Sequence, residues 1–216
     1  MTAASVPPGR HDFPVVAARD VYVGKVLALR ADEVRMPGGR TAVREILEHP
    51  GAVAIAAVDP DDRIMMIHQY RHAVRRRLWE LPAGLLDVDG EDPLVTAQRE
   101  LAEEAGLEAR DWSLLLDIVP SPGFSEESVR VFLARELTEV GRTASGADDE
   151  ESDLVTRWVS LPVALRMVFT GAIVNATTVS AILALHALRT QQGDPRPVDT
   201  EWVDRPTRFA ARKHQV

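Results

Sequence analysis

The chain has 216 residues, 45% hydrophobic and 27% charged, with 33 acidic against 25 basic side chains and a formal net charge of -8. That length permits one large domain or a smaller one with an extension, and the composition excludes collagen, coiled coil and global disorder. The acidic balance disfavours nucleic-acid binding through a basic face, while the absence of cysteine excludes disulfides, thiolate metal sites and a cysteine nucleophile, as suits a cytoplasmic protein.

The opening run, Met1 to Pro14, has no apolar stretch of signal-peptide length, so secretion is not expected. Val21 to Leu29 reads as a strand, Arg30 to Arg40 as a charged turn, and Thr41 to Glu48 as the strand's hairpin partner. Residues 1–48 are therefore expected to form a small N-terminal β extension. After His49-Pro50-Gly51, the continuously apolar Ala52 to Val58 suggests a strand buried on both faces. Asp59 to Asp62 is a turn, and Arg63 to Tyr70 its returning partner. Further strands are expected at Trp112 to Val119, Ser128 to Ala134 and Thr156 to Ser160, with a loop over Gly141 to Asp153. Leu161 to Phe169 and Thr177 to Leu188 are helical in character. The apolar run Gly171 to Leu188 is interrupted by Asn175, Thr177, Thr178, Ser180 and His186, too often for a membrane span of about 20 residues. Residues 49–192 thus form an expected α/β domain, and the proline-bearing tail 193–216 is expected to be irregular.

The segment EDPLVTAQRELAEEAGL, from Glu91, carries every local signal of a helix. Asp92 can cap it, Pro93 suits the first helical position, and Gly106 supplies a left-handed stop. Leu94, Ala97, Leu101 and Ala105 make one apolar stripe. Glu100, Glu103 and Glu104 stand at i, i+3 and i+4, where like charges repel unless a cation is bound. Oxygen-only ligands on a rigid helix suit Mg2+ or Mn2+. A solvated acidic surface, with Arg99 paired to one glutamate, is the alternative for an isolated string of this kind.

Counted from Gly84, however, the chain reads GLLDVDGEDPLVTAQRELAEEAGL, which resembles the Nudix box, G-x5-E-x7-R-E-U-x-E-E-x-G-U with U aliphatic. One departure is plain: six residues, not five, separate Gly84 from Glu91. The insertion falls before the helix and should alter the loop more than the ligand geometry. PSPGFSEE, from Pro120, together with VREILEHPGAVAIAAVD and HQYRHAVRRRLWELPAG, is similar to the ADP-ribose pyrophosphatase branch of that family.

The resemblance implies an α/β/α sandwich and Mg2+-dependent (or Mn2+-dependent) hydrolysis of ADP-ribose to AMP and ribose 5-phosphate. It assigns Glu100, Glu104 and the carbonyl of Ala83 to the metal, with Glu103 supporting the same cluster and Arg99 and Glu91 serving structurally. Arg71 would contact phosphate. Arg44 and Glu45 would grip the adenosine end, contributed across a homodimer interface, and Ser121, Pro122, Gly123 and Glu127 would line the terminal ribose. The general base of this branch lies on a loop before a strand, which places Glu150 in that role and Glu151 as its competitor. Another nucleoside diphosphate sugar as substrate, or a non-catalytic ADP-ribose sensor, are the competing readings. A zinc pair at His68 and His72 is disfavoured because no glutamate follows His68 as HExxH requires. The partners implied are a small nucleotide sugar and a second copy of the chain, with no nucleic acid and no membrane.

Overall fold

The computed structural model describes residues 13–142 and 153–213. Two compact units emerge. One gathers Met1–Pro50, Ser121–Glu127 and Trp202–Val216; the other holds Gly51–Pro120 and Ser128–Glu201.

The first unit is built on an antiparallel sheet of β1 (Val15–Val23), β2 (Ala28–Arg35) and β3 (Thr41–Glu48), in that order. This corrects the hairpin expected from sequence: Val21 to Leu29 is not one strand but the end of β1, a turn closed by the Gly24 N–H on the Leu27 carbonyl at 2.9 Å, and the start of β2. The valines on either side mimic one continuous strand. Arg30 and Asp32, which read as turn residues, lie buried within β2 because each neutralises the other. The tail expected to be irregular also acquires structure, closing with a short helix, α4 (Arg208–Lys213).

The second unit has two sheets. β4 (Ala52–Ala57) lies between β7 (Ala83–Leu85) and β9 (Val129–Glu139), running parallel to β9, and β8 (Leu107–Ile118) completes the order β7-β4-β9-β8. The other sheet is antiparallel, with β5 (Arg63–Arg71) between β10 (Val155–Ser160) and β6 (Arg76–Glu80). β8 begins five residues before the expected Trp112 because Gly106 turns the chain directly from helix into strand. The helices are α1 (Pro93–Ala105), α2 (Leu161–Phe169) and α3 (Ala176–Arg189). Ala54 and Ala56 of β4 join a core with Ile64, Met66, Val131, Leu133 and, from α3, Ile182 and Leu185. Strand alternation leaves the equally buried Val53 and Ile55 for the opposite face, against which α1 packs. The expected α/β/α layering follows, with β4 buried on both faces. No helix among the described residues is long and apolar enough to cross a membrane.

Candidate active site

α1 starts and stops as its sequence dictates. The Asp92 carboxylate accepts the Leu94 N–H at 2.8 Å, and Gly106, at φ 66°, ends the helix with its N–H on the Ala102 carbonyl at 3.0 Å. Thr96, Ala97 and Leu101 are buried, and so is Glu104, which occupies an inward position otherwise suited to an apolar residue. Its carboxylate accepts the Ala83 N–H at 2.8 Å. Two of the expected metal-site residues, from β7 and α1, are thereby in direct contact.

Arg99 organises the remaining acids. One guanidinium nitrogen donates to Glu100 at 2.8 Å and to Glu103 at 3.2 Å, and another donates to Glu91 at 3.2 Å. Glu91 also accepts the Thr96 hydroxyl at 2.7 Å; that bond outweighs the cost of burial, and with Arg99 it holds the carboxyl below the usual range. Glu100 differs. Burial pushes its carboxyl up to about 7; Arg99 opposes the shift, while the negative charges of Glu103 and Asp87 reinforce it. Arg99 is itself raised, because although burial works against its charge, the contact with Glu91 and the charges of Glu100, Glu91 and Glu103 more than offset that.

Gly84 explains how Glu100 fits. A Cβ built at Gly84 would lie 2.1 Å from a Glu100 carboxylate oxygen and 2.2 Å from its carbon, so the side chain rests against bare backbone. The extra residue between Gly84 and Glu91 is absorbed in a turn, where Gly90 takes φ 71° and the Glu91 N–H reaches the Val88 carbonyl at 3.2 Å. Glu91 still meets Arg99, so the insertion bends the loop without undoing the helix contacts.

Among the described residues no group of three His, Asp or Glu side chains is arranged to hold a metal ion as it stands. Arg99 bridges Glu100 and Glu103, and Ala83 holds Glu104. The donor set nevertheless fits a hard divalent cation. Glu91, Glu100 and Glu103 share one guanidinium, Glu104 stands on the same helix, and Glu100, whose carboxyl burial raises, would be relieved by added positive charge.

The other expected residues are distributed as follows. Arg71, at the end of β5, forks onto Glu80, with distances of 3.2, 3.2 and 2.7 Å. Glu80 is buried and also accepts from Gln69 at 3.2 Å. Arg44 and Glu45 sit on the exposed part of β3, where Arg44 donates to the Val43 carbonyl at 3.0 Å. Arg44 also lines a cleft of about 580 Å³ with Phe13, Val34 and Ile46. Ser121 accepts from the Phe124 and Ser125 N–H groups through its carbonyl, forming a tight turn that carries Pro122 and Gly123. The Glu127 N–H is held by the Ser125 hydroxyl at 3.0 Å. Glu150 and Glu151 lie outside the described residues. His68 stacks on Trp79 with ring centroids 4.5 Å apart, and His72 lies in a 3-10 turn.

Sequence reasoning missed Glu80, Thr96 and Asp87. Thr96 stands five residues after Glu91 on the start of the helix, a spacing that could have signalled the contact. Nothing local marks Glu80, whose role depends on the register pairing β5 with β6.

Residues 41–180 match the model of the NUDIX domain. The chain is 53% identical over 203 residues to an ADP-ribose pyrophosphatase of Mycobacterium tuberculosis, covering 94% of this chain and 97% of that protein. It is 38% identical to an ADP-ribose pyrophosphatase of Bacillus subtilis, over 77% of this chain and 89% of the relative. A Streptomyces rubellomurinus CMP-5'-(N-acetyl-N-hydroxy-3-aminopropyl)phosphonate hydrolase is 34% identical, over 79% and 80%. In fold, the chain matches a crystal structure of an ADP compounds hydrolase with a TM-score of 0.72 at 20% identity, over 87% of this chain and 99% of that one.

Proposed function

The chain belongs to the NUDIX domain family, and from that premise we propose that it hydrolyses the pyrophosphate of ADP-ribose to AMP and ribose 5-phosphate with Mg2+ or Mn2+. The observation that carries this reading is the α1 cluster, in which three glutamates share one arginine, a fourth, Glu104, is buried on the same helix, and Glu100 is pushed up to about 7. Such crowding costs stability and gains nothing without a cation, which argues against a sensor that only binds.

Glu100, Glu104 and the Ala83 carbonyl would hold the ion, which when bound supplies charge neutralisation at the diphosphate and acidifies the attacking water. Arg99 and Glu91 orient the glutamates, and Glu103 adds negative charge beside them. Arg71 meets phosphate with a planar forked donor, exchanging or sharing its bond to Glu80. Arg44 and Glu45 hold the adenosine end from the partner subunit of a homodimer, and Ser121, Pro122, Gly123 and Glu127 line the terminal ribose. Glu150 accepts the proton of the water as it attacks phosphorus. A cysteine-free, acidic chain of this kind works in the cytoplasm.

A product assay on the purified protein with ADP-ribose, other sugar nucleotides and NADH, with and without Mg2+, tests the reading. AMP and ribose 5-phosphate are expected from ADP-ribose only when a divalent ion is present. The phosphonate hydrolase relative keeps a second substrate in view. Exclusive cleavage of a non-adenosine nucleotide would replace the substrate assigned here and leave the hydrolase.

A further inference from the structure

Within the N-terminal unit a line of ion pairs runs from the C-terminal helix to the Ser121–Glu127 segment. Arg212, on α4, donates to both carboxylate oxygens of Glu48, at 2.5 and 3.0 Å, and forks onto Asp20 at 2.8 and 2.7 Å. Glu48, at the end of β3, is 0% exposed. Its first oxygen also receives Arg30 at 2.7 Å. Arg30 holds Asp32 at 3.0 and 3.2 Å and reaches Glu126 at 3.2 Å. The other Glu126 oxygen is buried and has no hydrogen-bond partner among the described residues, so Arg30 compensates that carboxylate. Backbone contacts fasten the same segment to β3: the Leu47 N–H donates to the Phe124 carbonyl at 2.8 Å, and the Glu126 N–H donates to the Leu47 carbonyl at 3.1 Å.

We propose that Arg212 is a positioning residue, which fixes the substrate-contacting turn at Ser121–Glu127 through Glu48, Arg30 and Glu126. The inference rests on the assignment of that turn to substrate made above. The physical argument is one of shared charge. Glu48 is fully buried and divides its charge between two guanidinium groups, so removing Arg212 leaves Arg30 as its one cationic partner among the described residues. Arg30 is then drawn further onto Glu48 and away from the longer 3.2 Å contact to Glu126. The turn loses the Arg30–Glu126 anchor and keeps the backbone contacts to Leu47. The metal-site glutamates belong to the other unit and share no residue with this line.

The test uses the full chain with Arg212→Met and, as a conservative variant, Arg212→Lys, which restores one charge but not the fork. Steady-state hydrolysis of ADP-ribose is measured alongside backbone amide exchange. Arg212→Met is expected to raise KM roughly tenfold, as the loss of one charge-assisted bond implies, with kcat within about twofold of wild type. Amide exchange at Ser125 and Glu126 is expected to accelerate about tenfold, while α1 amides are unchanged. Arg212→Lys should recover part of both. A purely structural role lowers the active fraction, hence kcat, and leaves KM alone, which overturns the proposal; so does unchanged exchange at Ser125 and Glu126. If Arg212→Met does not fold, Glu126→Gln, at the far end of the line, is expected to give the same KM and exchange signature, and its absence overturns the proposal. A wild-type protein that does not cleave ADP-ribose removes the substrate assignment, while the exchange data still decide whether Arg212 positions the turn.

Discussion

Glu48 and Glu100 are both glutamates with arginine neighbours, and they are driven in opposite directions. Glu48 meets two guanidinium groups, and although burial works against its charge, the bonds from Arg212 and Arg30 hold its carboxyl below the usual range. Glu100 shares one guanidinium with Glu91 and Glu103, and there burial wins. The N-terminal cluster carries its own cations and locks a sheet to a helix. The α1 cluster is short of cations, and that shortage suits a site that recruits one.

The largest effect expected is at Glu150, the proposed proton acceptor. Glu150→Gln should lower kcat on the order of 10²–10⁴-fold with little change in KM, and Glu151→Gln should cost far less. A reversed pair of effects shifts the base by one residue. Gly84→Ala sharpens the contrast next: the added methyl displaces Glu100, so turnover should fall about 10–100-fold while the circular dichroism spectrum is retained. Glu103→Gln, which thins the repulsion without removing an expected ligand, should reduce turnover only about tenfold, measured at saturating Mg2+.

The smallest effect lies in the satisfied cluster and is read as stability against pH. Because the Glu48 carboxyl lies below its ordinary 4.5 when folded, its contribution is complete above that value and is lost as pH falls through the lower folded value. The urea midpoint of wild type should therefore fall more steeply below pH 4.5 than that of Glu48→Gln. Parallel curves would mean that Glu48 is not held as an anion by Arg30 and Arg212.

Much of the helix site was legible in the sequence because its logic is local. The cap at Asp92, the stop at Gly106 and the i, i+3, i+4 acids are all set by helical geometry, and the structure reproduces each. The strands of the main domain were legible where they were apolar, as in Ala52–Ala57. What failed to show was charge buried by distant pairing. Arg30 and Asp32 look like turn residues until Glu48, Glu126 and Arg212, up to 182 positions away in the chain, supply their context. Glu80 was missed for the same reason, since only the register of β5 against β6 places it under Arg71.

The claim that one acidic cluster awaits a cation and the other does not is tested most directly by metal binding itself. Mn2+ titration followed by the electron paramagnetic resonance of the free ion needs no substrate and no assumption about turnover. Wild type and Glu126→Gln are expected to bind Mn2+ alike, and Glu104→Gln, which keeps side-chain volume and an acceptor for the Ala83 N–H, is expected to lose most of that binding. Undiminished binding by folded Glu104→Gln, or a loss confined to Glu126→Gln, would contradict the account.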